Sequence, residues 1–182
     1  MPLFVHYYLW WDTAHWRSKL GQSYPMHVRP APLPATLSAN GCAASASYPG
    51  DTLVDVPPTP PGLFTQDDPA VLTRDVQEAS AANIDGFTVS WAGNGRPDQT
   101  ASSTAFSRRL AALVNVVAAH DARPGNRHFS LELGYEGLDN SRSPRPTSWV
   151  EHDLEYLVHA YANNAVFRIP AYGSKPVVMF LD

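Results

Sequence analysis

The sequence predicts an α/β fold of the (β/α) TIM-barrel type, of which this chain supplies the first four βα steps, a half barrel. Strand-like and helix-like apolar patterns alternate along the chain, which is typical of parallel strands joined by helical crossovers. One face of each predicted strand is apolar, whereas the other becomes polar toward the strand end, as in a barrel interior near its C-terminal mouth. The 182 residues stop as the fourth strand ends. We therefore predict a single barrel domain over residues 1–182 that is incomplete at its C-terminus.

The first predicted strand covers residues 3–10 and is rich in aromatic residues, which favour strands. A long irregular stretch follows, roughly residues 11–66, and contains more than half of the 17 prolines. Proline fixes φ and removes a backbone donor, so regular elements cannot run through this stretch. We predict a long Pro-rich loop after strand one, at the presumed active-site end.

Capping residues and apolar spacing predict the remaining elements. Asp67-Asp68-Pro69 starts the first helix, because a carboxylate cap precedes a proline at the first helical position. Residues 84–91 form the second strand, and Phe106 opens the apolar stripe of the second helix. Residues 128–133 form the third strand, the third helix is capped by Thr147 or Ser148, and residues 175–182 form the fourth strand.

Composition and motifs argue against several classes of protein. With a net charge of −4, the chain lacks the excess of basic residues that is typical of nucleic-acid-binding proteins. Its apolar runs are too short for a transmembrane helix. The lone Cys42 excludes an internal disulfide, and no close metal-ligand pair, dinucleotide loop or nucleophile elbow occurs. We expect no cofactor and no metal. The residues before strand one lack the pattern of a secretory leader, so we expect either a cytoplasmic protein or a secreted one whose leader has been removed.

Several segments together carry a family resemblance: residues 7–11, 68–72 with 83–93, 131–137, and 175–178. They resemble the N-terminal half of the glycoside hydrolase family 99-like proteins, whose characterised members are endo-acting α-mannosidases or mannanases. The resemblance implies a (β/α)₈ barrel that hydrolyses glycosidic bonds, such as α-mannosides, by carboxylate acid/base catalysis on an oligosaccharide or polysaccharide. The family's catalytic glutamate pair lies in its C-terminal half and has no counterpart here, so we expect no turnover by this chain alone.

Candidate site residues lie at the predicted strand ends. Glu132 and Asp182 are the candidate catalytic carboxylates, since glycoside hydrolysis generally needs two carboxyl groups. The resemblance matches Tyr8 or Tyr7 to an active-site tyrosine, Trp91 to a sugar-contacting tryptophan, and Glu132 and Tyr135 to an active-site segment. The candidate substrate-binding residues are His6, Tyr7, Tyr8, Trp10, Trp91, Tyr135 and Glu136. The aromatic residues could instead pack in the core. Glu132 could instead be a structural residue that is hydrogen-bonded to a buried partner.

Two other functions stay open at this point. A non-catalytic half barrel could bind glycan or self-associate, because four strands cannot close a barrel and leave two edge strands. The two edge strands would then pair with a second copy of the chain or with a C-terminal half. A small flavodoxin-like ligand-binding domain is the third interpretation, which the polar strand face disfavours.

Overall fold

A computed structural model describes residues 2–15, 64–93, 101–137 and 144–181, with the backbone alone at 101–103. The chain divides into two compact units, residues 11–65 and residues 1–10 with 66–182, and the second contains every strand and long helix named here. Its elements are β1 (Phe4–Tyr8), α1 (Pro69–Ala81), β2 (Gly86–Trp91), α2 (Ala101–Asp121), β3 (Ser130–Glu136), α3 (Thr147–Tyr161) and β4 (Val178–Leu181). Two 3₁₀ turns, Ala165–Phe167 and Pro170–Tyr172, precede β4. The predicted alternation of strands and helices is confirmed.

The four strands form one parallel sheet in the order β1-β2-β3-β4. This order follows the sequence, as in a (β/α) barrel, whereas a flavodoxin-like sheet places its first strand between the second and third. The predicted half-barrel arrangement is confirmed, and the flavodoxin-like alternative is wrong. Among the described residues, no helix is long and apolar enough to cross a membrane.

The start of α1 agrees with the capping pattern in the sequence. The side chain of Asp68 accepts a hydrogen bond from the backbone N–H of Ala70 at 2.9 Å, and Pro69 is the first helical residue. The start of α3 differs from the predicted cap, because the N-cap is Pro146 and both Thr147 and Ser148 lie inside the helix. Pro146 itself makes no side-chain capping hydrogen bond.

One face of the sheet packs beneath the helices, and we call it the helix-covered face. Its register partners include Phe87 with Leu131 and Val89 with Leu133. These four side chains are at most 3% exposed and join a core with the apolar stripes of α1 and α2. That core positions the strands and leaves their opposite face to polar side chains.

The orientation of β4 corrects one sequence-based prediction. Period-two alternation along residues 177–182 predicts Val178 and Phe180 on the polar side and Met179 and Leu181 on the apolar side. In the sheet Val178 pairs with Leu133 and Phe180 with Tyr135, so Val178 and Phe180 lie on the helix-covered face. The pattern could not orient this strand because both of its alternating sets are apolar.

Candidate functional site

Polar side chains from three adjacent strands line the side of the sheet opposite the helices, which we call the polar face. The register places His6, Thr88 and Glu132 in one row, and Tyr8 and Ser90 in the row toward the carboxyl ends. Active sites of (β/α) barrels lie at this end of the strands. The polar face comprises His6, Tyr8, Thr88, Ser90, Ser130, Glu132 and Glu136.

Each glutamate of the polar face is held by a hydroxyl of the neighbouring strand. Thr88 Oγ1 donates to Glu132 Oε1, and Ser90 Oγ donates to Glu136 Oε1. Glu132 is only 5% exposed, so its carboxylate needs such a partner. Thr88 and Ser90 are two residues apart on one strand, so their Cα atoms lie roughly 7 Å apart.

Two glycines leave room on the polar face for side chains from the edge strands. A Cβ at Gly134 would lie 2.6 Å from Leu181 Cδ1, so the Leu181 side chain occupies the space above this glycine. A Cβ at Gly86 would lie 2.2 Å from the Ser130 carbonyl oxygen and 2.5 Å from the Phe4 ring. Neither position accommodates a larger residue without displacing a neighbour.

Aromatic side chains follow the exposed edge of the polar face along β1. The rings of His6 and Tyr8 stack with centroids 4.8 Å apart, and the Tyr8 and Trp10 rings lie 4.7 Å apart. Tyr8 is 40% exposed, which leaves ring surface accessible. Exposed aromatic rings beside carboxylates form the combination by which proteins bind sugars, because ring faces contact C–H groups and carboxylates accept from hydroxyls.

Three candidate residues lie instead on the helix-covered face. Trp91 is fully buried and its Nε1 donates to Ser107 Oγ at 3.3 Å. The Tyr135 hydroxyl donates to Asp153 Oδ2 at 2.9 Å. The structure does not bring these two side chains together with the polar face.

Tyr7 is the third of these residues. Its hydroxyl donates to Asp75 Oδ2 of α1 at 2.7 Å, and its ring stacks on Phe87. Burial, followed by the charge of Asp75, raises the pKa of Tyr7 far above its ordinary value, so the phenol stays protonated. Of the two candidate tyrosines of strand one, only Tyr8 lies on the polar face. The sequence already indicates this placement. In strict alternation, the apolar neighbours two residues away lie on the same face as Tyr7, Trp91 and Tyr135.

Asp182, the second candidate catalytic carboxylate, lies outside the described residues. Sequence reasoning missed Gln66, Asp67 and Arg109, which meet at the end of β1. Arg109 lies within the apolar stripe of α2 and is 2% exposed, and a charged residue in such a stripe is a signal for a buried ion pair. Its hydrogen bonds to Asp67 lower the pKa of that carboxyl to about 2.

Metal ligands do not cluster in the part of the chain that the structure describes. No group of three or more His, Cys, Asp or Glu side chains is placed to hold a metal ion there.

Comparison with known proteins gives a sequence relative for part of the chain. No family model matches it. The N(2)-fixation sustaining protein CowN of Trichlorobacter lovleyi is 33% identical over 70 residues, which make up 38% of this chain and 71% of that protein. By this identity and coverage the chain belongs to the CowN family over that stretch, and most of its length lies outside the match.

Solved structures give a likeness over nearly the whole chain. A structure of the GH99 endo-α-mannosidase of Bacteroides thetaiotaomicron is 15% identical, with a TM-score of 0.52, and the match covers 97% of this chain and 44% of that one. Its complex with BIS-TRIS-propane is 18% identical with a TM-score of 0.45, over 65% of this chain and 30% of that one. The chain thus spans less than half the length of these enzymes, and the first likeness shows a shared fold.

Proposed function

We propose that this chain binds α-mannoside glycans on its polar face, as half of a barrel of the glycoside hydrolase type. The observation that carries the proposal is the row of His6, Thr88 and Glu132 on adjacent strands, beside the exposed ring of Tyr8. A sugar lying there would meet aromatic surface on one side and hydrogen-bonded carboxylates on the other. The fold shared with an endo-α-mannosidase suggests the class of glycan.

The same face supports hydrolysis in a completed barrel. Glu132 and Glu136 are the described carboxylates of the polar face, and Asp182 stays a further candidate. In an inverting reaction one carboxylic acid protonates the glycosidic oxygen while the other carboxylate removes a proton from the attacking water. We expect the half barrel alone to bind without turnover, since half of the enclosing wall would be absent.

A binding measurement tests this proposal. Calorimetric titration with α-manno-oligosaccharides should show saturable binding that weakens about tenfold in Glu132→Gln, as expected when one hydrogen bond to a charged group is lost. Glu155→Gln, an exposed change on α3, is the matched control and should leave affinity unchanged. Absence of binding by the unaltered chain, or equal affinity for the Glu132 variant, would contradict the proposal.

A hydrolysis assay separates binding from catalysis. No reducing sugar should be released from α-mannan by the chain alone. Release that disappears in Glu132→Gln would show instead that the half barrel is a competent enzyme. Release that persists in this variant would assign the reaction to other residues or to a contaminating enzyme.

Self-association is the second function that a specific observation favours. β1 and β4 are the edges of the sheet in the described residues. Leu3, just before β1, and Met179 and Phe180 of β4 are exposed apolar side chains. A second copy of the chain could pair with these edge strands. Four further strands from a C-terminal half would pair with them in the same way and close the barrel. A dimer in sizing chromatography that Phe180→Lys dissociates would support this function, whereas a monomer at all concentrations would exclude it.

A further inference from the structure

The aromatic residues of β1 form a ladder that continues beyond the end of the strand. His6, Tyr8 and Trp10 alternate along the chain, and their rings contact one another in sequence. The Trp10 ring then stacks at 6.4 Å and 22° on Phe106, which belongs to α2. Trp10 lies outside the strand pairing, so another set of contacts must hold its backbone in position.

Two side chains hold consecutive carbonyl groups at this point. Gln66 Nε2 donates to the Tyr8 carbonyl oxygen at 2.8 Å, and Arg109 Nη1 donates to the Leu9 carbonyl oxygen at 2.8 Å. Together they fix the orientation of both peptide groups that lead to Trp10.

Arg109 is itself held rigidly. Its Nε and Nη2 donate to the two oxygens of Asp67, each at 2.9 Å, which is a bidentate geometry. Phe106 lies three residues earlier on α2, on the same side of the helix. One helix surface therefore supplies both the guanidinium that fixes Leu9 and the ring that supports Trp10.

We propose that Arg109 and Gln66 are positioning residues that hold Tyr8 and Trp10 as a preformed platform for stacking of a pyranose ring. The inference deepens the proposed glycan binding and rests on it. A platform that is already ordered avoids the entropy cost of immobilising side chains on binding. The buried guanidinium thus contributes to affinity although it lies behind the backbone and does not reach the sugar.

The test compares Arg109→Lys with Arg123→Lys, which changes an exposed arginine just beyond α2. Lysine keeps the charge but cannot bind Asp67 in the bidentate manner and reach Leu9 at once. Under conditions where circular dichroism shows both variants folded, Arg109→Lys should weaken α-manno-oligosaccharide binding about tenfold. It should also weaken the NMR contacts between the Tyr8 and Trp10 rings. Arg123→Lys should change neither measurement.

Gln66→Leu is the second variant, useful if Arg109→Lys fails to fold. It removes the donor to the Tyr8 carbonyl and leaves Asp67 and Arg109 in place, so we expect a loss of affinity of about threefold. If the folded variants keep both the affinity for the glycan and the ring contacts, the positioning role is wrong, whereas the proposed glycan binding is not affected. Absence of binding by the unaltered chain would instead overturn the proposed function on which this role rests.

Discussion

The two faces of the sheet share the same strands but are stabilised differently. On the helix-covered face, buried apolar side chains such as Val89 and Trp91 pack against helices. On the polar face, Ser90 and Glu132 are almost equally buried, at 1% and 5% exposed, yet hydrogen bonds between neighbouring strands hold them. The extent of burial is therefore similar on the two faces of the sheet, and the faces differ in the chemistry of their buried groups.

Replacing Trp91 with alanine should produce the largest effect and test the assignment of the helix-covered face. Removing a fully buried aromatic side chain typically costs about 3–5 kcal/mol, because it combines lost burial with a cavity. Urea denaturation measures the free energy of unfolding of the variant and of the unaltered chain. Tyr8→Ala, on the partly exposed edge of the other face, should cost less than half as much. Equal losses would contradict the division between the faces.

Thr88→Val tests whether hydrogen bonding stabilises the polar face. Valine preserves the shape of threonine but removes the donor to Glu132, and leaving a buried carboxylate short of a partner costs about 1–3 kcal/mol. The matched control is Thr73→Val on α1, whose hydroxyl donates to a backbone carbonyl near the surface. Thermal unfolding should show a clear loss for Thr88→Val only. If Thr88→Val is neutral, the hydrogen bond does not stabilise the polar face.

Acid should weaken the contacts at the end of β1. Asp67 has a pKa of about 2 in the folded chain against an ordinary value of 3.8, chiefly because Arg109 donates hydrogen bonds to its charged form. The stability from this pair is complete above about pH 4 and is lost as the pH falls through 2. Since Asp67 is partly exposed, we expect a loss on the order of 1 kcal/mol.

The pH dependence of urea unfolding checks this prediction. Asp67→Asn should be less stable at neutral pH, and the difference from the unaltered chain should shrink as the pH falls from 4 to 2. A difference that stays constant over this range would contradict the assignment of the titration to Asp67.

Arg108→Ala should have the smallest effect. Arg108 binds the same carboxylate as Arg109, at 2.8 Å, but its side chain is 67% exposed. Exposed ion pairs contribute about 1 kcal/mol or less, and high salt weakens them further. Unfolding in low and high salt measures both effects. A loss larger than that of Thr88→Val would show that exposed charges matter more here than buried hydrogen bonds.

The order of the elements and their periodicity were predictable from the sequence, because they depend on local patterns. The alternation in 84–91 correctly separates Phe87 and Val89 from Thr88 and Ser90. The same alternation places Trp91 on the apolar side with Phe87 and Val89, in conflict with its resemblance to a sugar-contacting residue, and the alternation is correct. For β4 no such signal exists, since Val178 and Met179 are both apolar and only pairing with β3 orients them.

The contacts around Arg109 depend on tertiary structure and were not predictable in this way. Leu9, Asp67 and Arg109 lie far apart in the sequence, and only the fold brings them together. An arginine in an apolar stripe indicates a buried partner without identifying it. The two acceptors are the Leu9 carbonyl and the Asp67 carboxylate. The local pattern predicts a strand end at Leu9 and a helix cap at Asp67, and neither pattern indicates an arginine partner.

The contacts of Gln66 and Arg109 have a further consequence for the 11–65 segment, which leaves the sheet after Leu9 and returns before Asp67. These contacts join the residues on either side of the segment, Tyr8 and Leu9 before it and Gln66 and Asp67 after it. For a flexible loop, the entropy of closure grows only with the logarithm of its length, so a doubling costs about 0.6 kcal/mol. Because Gln66 and Arg109 join the residues that flank positions 11–65, a change in the length of that stretch would carry a small thermodynamic cost and leave the end of β1 in place.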